Sequence, residues 1–87
     1  MKVTKRNGKV VLYDDDKVAS SIVWANGRTS EEIITIKTGK RIADEVFKRL
    51  TGEKDMITTE EIRNCVSAVL IEMGYPKTAE NYVNYKK

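Results

Sequence analysis

The chain has 87 residues, 40% hydrophobic and 33% charged, with 16 Lys plus Arg against 13 Asp plus Glu and a net charge of +3. That length makes one domain with a thin core, the composition argues against disorder, and the mild basic excess, at the margin of strong nucleic-acid binders, permits an anionic partner without demanding one. There is no histidine and only one cysteine, Cys65. This removes the commonest acid/base group and metal ligand, and with them hydrolytic triads, internal disulfides and multi-thiolate zinc sites.

No apolar run approaches the roughly 20 residues that cross a membrane. Residues 1–6 turn polar at once, which is unlike a signal peptide, so the expected location is the cytoplasm. No repeat, low-complexity tract or linker interrupts residues 1–87, and a single domain is expected.

Val3 to Tyr13 reads as a β-hairpin. The arms are Val3-Thr4-Lys5 and Val10-Val11-Leu12-Tyr13, and Asn7-Gly8 is the expected two-residue turn, with positive φ at both positions. Asp14, Asp15 and Asp16 then open a helix, one as cap and the others opposing the positive end of its dipole. Val18, Ile22 and Ala25 form its inward stripe, and Asn26-Gly27 ends it.

A longer helix is expected from Ser30 to Gly52. Glu31 and Glu32 would lie in its first turn, and Ile33, Ile36, Ala43, Val46, Phe47 and Leu50 keep helical spacing. Gly39 interrupts the pattern and predicts either a kink or a close helix approach. Thr58 and Glu61 make a capping box for a third helix with the stripe Ile62, Val66, Val69, Leu70 and Met73, stopped at Gly74. A fourth helix from about Lys77 to Lys86 buries Ala79, Tyr82 and Val83. The expected fold class is α+β, mostly α: an N-terminal β-hairpin on a small four-helix bundle.

The glycines are scattered, and no glycine-rich phosphate loop exists. A bound phosphate would need cationic side chains and helix N-termini. Lys5 and Arg6 beside the turn, Lys17 in the first helix, Thr59 and Arg63 at the start of the third, and Lys86 and Lys87 at the end of the fourth are the available set. Spacing alone leaves them readable as scattered surface charge. Cys65 and Trp24 read as packing residues, and Tyr13, Tyr75, Tyr82 and Tyr85 as core rather than as base-stacking platforms.

The opening V-T-K-R-N-G-K-V-V-L-Y-D-D-D-K resembles the start of an ATP-cone domain, through Val3, Lys5, Arg6, Asn7, Gly8, Tyr13, Asp14 and Lys17. Further segments match in order. Ile42-Ala43-Asp44-Glu45-Val46 is similar to the family's second-helix core, and Thr59-Glu60-Glu61-Ile62 to the entry of its third helix. Ala79 to Lys86 is similar to its closing A-x-x-Y-x-x-Y-[KR]. The resemblance spans essentially the whole chain.

It implies a helical bundle under a β-hairpin or three-stranded lid that binds ATP or dATP, with magnesium, as a regulatory ligand. Lys5, Arg6, Lys17 and Lys87 would face the phosphates, Thr59 and Arg63 would assist, and Asp14 would lie near the adenine. Where many members carry Glu three residues after the turn glycine, this chain has Val11, which leaves base recognition to backbone groups. Such domains sit at the N-terminus of ribonucleotide reductase large subunits, in a zinc-ribbon repressor of reductase genes, and on some kinases. The resemblance therefore implies nucleotide-controlled contact with a protein partner or within a homo-oligomer, in a stand-alone regulator or a domain of a larger protein.

It implies no catalysis, and Asp14 to Asp16 are accounted for by capping. The competing reading is a small nucleic-acid-binding, transcription-linked module. In it Lys5, Arg6, Lys9 and the C-terminal lysines would contact phosphates with a steep salt dependence.

Overall fold

A computed structural model describes residues 1–52 and 55–85. Two short strands, β1 (Lys2–Thr4) and β2 (Val10–Leu12), are followed by α1 (Asp15–Asn26) and α2 (Ile36–Thr51). After these come β3 (Met56–Thr58), α3 (Thr59–Glu72) and α4 (Pro76–Tyr85). The α+β, mostly helical architecture is as the sequence predicts.

The hairpin forms, but not through the expected turn. Only Gly8 has positive φ, at 84°, while Asn7 stays at negative φ. Gly8 N–H donates to Lys5 O (3.0 Å) and Lys5 N–H to Lys9 O (2.8 Å), so Arg6-Asn7-Gly8 is a three-residue loop. One left-handed glycine closing a tight turn needs no second positive φ. The Asn7 side chain instead accepts from Lys9 N–H at 3.0 Å.

A third strand completes the sheet. The strand order is β2-β1-β3, with β1 antiparallel to β2 and parallel to β3. Met56-Ile57-Thr58 is too short to display an alternating pattern, and its partner lies more than fifty residues upstream. Val3 and Ile57, paired across the sheet, are buried and fix its inner face to the bundle.

Asp14 caps α1 as expected, its Oδ1 accepting from Asp16 N–H (3.0 Å) and Lys17 N–H (3.2 Å). The second helix begins at Ile36, capped by Thr35, and not at Ser30. Asn26 is the physical reason. Its buried amide donates to Glu32 O (2.7 Å) and accepts from Ile34 N–H (2.9 Å), holding residues 32–34 against the end of α1 in non-helical form. Ile34 is buried there, whereas Ile33, expected on an inward stripe, is 81% exposed. Ile36 and Met73, also placed on stripes by the sequence, lie at helix ends and are exposed.

Glu32 has a role that sequence spacing hides. Pro76 has no N–H to leave unpaired at the first position of α4. The next two amides, of Lys77 and Thr78, donate to the Glu32 carboxylate at 2.9 and 2.8 Å. The carboxylate thus caps α4 from 45 residues away. Beside it, Lys77 pairs with Glu31.

Burial pushes the Glu32 carboxyl up, but these amides and the Lys77 charge outweigh it and hold the group below its ordinary value. A depressed folded-state value contributes stability above the unfolded value, and that contribution disappears as pH falls through the folded value. Glu32→Gln is therefore expected to lower the thermal midpoint at neutral pH, with the gap to wild type closing as pH falls below about 4.5. Calorimetric melts across pH check this; a gap that persists unchanged in acid would contradict it.

The core runs between α1, α2 and α3 through Ala19, Ile22, Ile42, Val46, Val66 and Leu70, all fully buried. Gly39 marks a close approach. A Cβ there would come within 3.2 Å of Ala19 O and 3.3 Å of Val23 Cγ2, so α2 lies directly on the backbone of α1. The α3 capping box is present with both reciprocal bonds, and Gly74 follows the helix at φ 90°. Trp24, read as a packing residue, is 45% exposed with the Arg28 guanidinium 5.1 Å over its ring.

Candidate functional site

The inner face of the sheet does not close fully on the bundle. Between them lies a cleft of about 400 Å³. The sheet side contributes Val3, Lys5, Val11 and Leu12, and the link to α1 contributes Tyr13 and Asp14. The first turns of α1 add Lys17, Val18 and Ser21, the first turns of α3 add Thr59, Ile62 and Arg63, and α4 adds Tyr82. This volume lies in the ordinary range for small-ligand sites.

Local structure explains each placement. The tight turn at Gly8 and its flanking ladder put Lys5 at the mouth of the sheet. Capping by Asp14 starts α1 there, so Lys17 and Ser21, one turn apart, share the cleft face. The Thr58–Glu61 box starts α3 at the cleft rim, and Thr59 and Arg63 follow at i and i+4. Two helix N-termini thus border one cavity; their dipoles favour anions, against the carboxylates in each first turn, Asp15 and Asp16 in α1 and Glu60 and Glu61 in α3.

The electrostatics point the same way. Among the described residues, Lys5, Lys17 and Arg63 have no carboxylate within ion-pair distance, whereas Lys48, Arg49 and Lys77 do. Asp14 is the only carboxylate on the described lining, and one of its oxygens is occupied by the α1 cap.

The floor is aromatic and hydroxylated. Tyr13 donates to Ala43 O (2.9 Å) and its ring lies 5.3 Å from that of Phe47. Its phenol is pushed up by burial and next by the charge of Asp15, and so stays neutral. Burial likewise raises the Tyr82 phenol, against a lowering by Ser21 and Arg63. Ser21 Oγ, which donates to Val18 O (2.7 Å), lies 3.1 Å from the Tyr82 hydroxyl.

The structure brings together Lys5, Asp14, Lys17, Thr59 and Arg63. Arg6, in the exposed turn, does not line the cleft, and Lys87, like Lys86, lies outside the described residues. Sequence reasoning missed Ser21, Leu12 and Ile62 as cleft residues and took Tyr13 and Tyr82 for core. The two tyrosines do pack on the core, and also present an edge to the cavity.

The family model for the ATP cone domain matches residues 1–87, the whole chain. The chain belongs to the ATP-cone family. ATP cones are nucleotide-binding regulatory domains rather than catalytic ones, and bind adenine nucleotides. No curated protein matches the chain. In this ATP cone, no described helix is long and apolar enough to cross a membrane.

Proposed function

We propose that the cleft of this ATP cone binds ATP or dATP as a regulatory ligand, and that the bound nucleotide controls a protein–protein contact. The observation that carries the reading is the convergence of Lys5, Lys17 and Arg63, remote in sequence and without acidic partners among the described residues, on one cavity with two helix N-termini. Bringing cations together without an anion is repulsive, and a triphosphate relieves that repulsion. Val11, Leu12, Val18 and Ile62 supply apolar surface for the base.

With Asp14 the only carboxylate on the described lining, a magnesium ion would arrive with the nucleotide, held by phosphate oxygens and water. Ligand bound between sheet and α3 bridges elements otherwise joined by a short strand and a few buried side chains. ATP and dATP signal different states only if they favour different arrangements of those elements. Ribonucleotide reductase, or another protein of nucleotide metabolism, is the proposed target of that control in the cytoplasm.

Calorimetric titration with ATP, dATP and GTP in the presence of magnesium tests the reading. Saturable adenine-nucleotide binding that persists at moderate salt, with GTP much weaker, is expected. Absence of binding by all three nucleotides, with salt-sensitive binding of nucleic acid, would replace it with the nucleic-acid module.

A further inference from the structure

The outer edge of β2 is apolar and open. All three of its residues are apolar and exposed: Val10 50%, Val11 43% and Leu12 72%. β2 lies at the edge of the sheet. Edge strands are ordinarily guarded by a charge, a proline or a bulge, and Val10-Val11-Leu12 has none of these.

The ladder fixes which groups the edge presents. Lys5 N–H bonds to Lys9 O and Tyr13 N–H to Met1 O. With Val3 opposite Val11, antiparallel alternation makes Lys5/Lys9, Val3/Val11 and Met1/Tyr13 the pairs that exchange bonds. The N–H and C=O groups of Val10 and Leu12 therefore face away from β1.

We propose that this edge pairs antiparallel with β2 of a second copy of the chain, about a two-fold axis at Val11. That register sets Val10 opposite Leu12 of the second copy, and all four outward groups of each strand find partners. It sets Val11 against Val11, and Val10 against Leu12, so exposed apolar surface is covered on both faces of the joined sheet. The flanking charges agree. Residues 9–15 read Lys-Val-Val-Leu-Tyr-Asp-Asp, a cation at one end and carboxylates at the other. Antiparallel self-pairing therefore brings each Lys9 toward the Asp14-Asp15 segment of the other chain. Lys9 has no ion-pair partner among the described residues. The Asp15 carboxyl is pushed up by burial and by Asp44, Asp16 and Asp14, so an incoming cation relieves a crowded acidic site.

Sedimentation equilibrium of the full chain, with and without ATP, tests the pairing. A reversible dimer is expected at high chain concentration. Val10→Pro deletes an outward N–H that β1 does not use, so the monomer fold is retained and the dimer weakens roughly thirtyfold, one lost bond in each half. Lys9→Glu and Asp15→Lys should each weaken the dimer, and the double variant should restore it. Circular dichroism melts confirm that each variant folds. A wild-type chain that stays monomeric, a dimer untouched by Val10→Pro, or a double variant no better than the singles would each overturn the proposal. Calorimetric ATP binding by the monomeric Val10→Pro variant is read separately, because neither Val10 nor Lys9 lines the cleft. A chain that binds ATP but never pairs removes only this inference, and one that pairs without binding ATP removes only the nucleotide reading.

Discussion

Lys17→Ala is expected to weaken ATP binding by about 10- to 100-fold while leaving the thermal midpoint of the free protein nearly unchanged. The side chain stands in the first turn of α1 and lines the cleft. It is exposed and makes no ion pair among the described residues, so its removal costs the empty fold little. A hydrogen bond to a charged group is worth about 1.5–3 kcal/mol, and each 1.4 kcal/mol is tenfold in affinity. Arg63→Ala should cost a similar factor from the α3 side. Because both act on one phosphate chain, the double variant should lose less than the product of the two. Arg6→Ala, at a position outside the cleft, should have a far smaller effect. Calorimetry of the three variants separates these cases, and an unchanged affinity in Lys17→Ala would remove the proposed site.

Asn26→Ala should destabilise the fold by about 2–4 kcal/mol, the largest loss expected from one polar side chain here. Asn26 is 7% exposed, and its amide joins three segments. It donates to Glu32 O and to Thr78 Oγ1 (3.1 Å) and accepts from Ile34 N–H. Thr78 is fully buried, so alanine would strand polar groups on both the 32–34 segment and α4. Asn26→Asp retains the acceptor but loses the donor and buries a charge, and should be no better than alanine. Denaturant unfolding of both variants measures the cost; a loss below about 1 kcal/mol would show that water replaces the amide without penalty.

The two variants also mark what the sequence can and cannot reveal. Features whose cause is local were legible: the Asp14 cap, the Thr58–Glu61 box and the glycine stop at Gly74 each act within a few residues. The segment 30–35 was misread because Glu31, Glu32 and Ile33 carry helical signals that non-local bonds from Asn26 override. β3 and the capping of α4 by Glu32 were invisible for the same reason, since their partners lie tens of residues away. Of the cleft, Lys5, Lys17, Thr59 and Arg63 were readable as groups able to hold a phosphate, but only the ordered family resemblance joined them, with Asp14, into one site. Periodicity gave no reason for them to meet. Leu12 and Ser21 carried no signal, because a cavity wall is defined by what fails to pack on it.

The proposed nucleotide site lies between the sheet and the first turns of α1 and α3. Amide chemical-shift mapping of the labelled protein during ATP titration tests it most directly. Saturable shifts are expected at Lys5, Val11, Leu12, Lys17, Thr59 and Arg63, with residues near Trp24 and Arg28 unmoved. Saturable shifts centred elsewhere, or none at these positions when ATP is in excess, would contradict it.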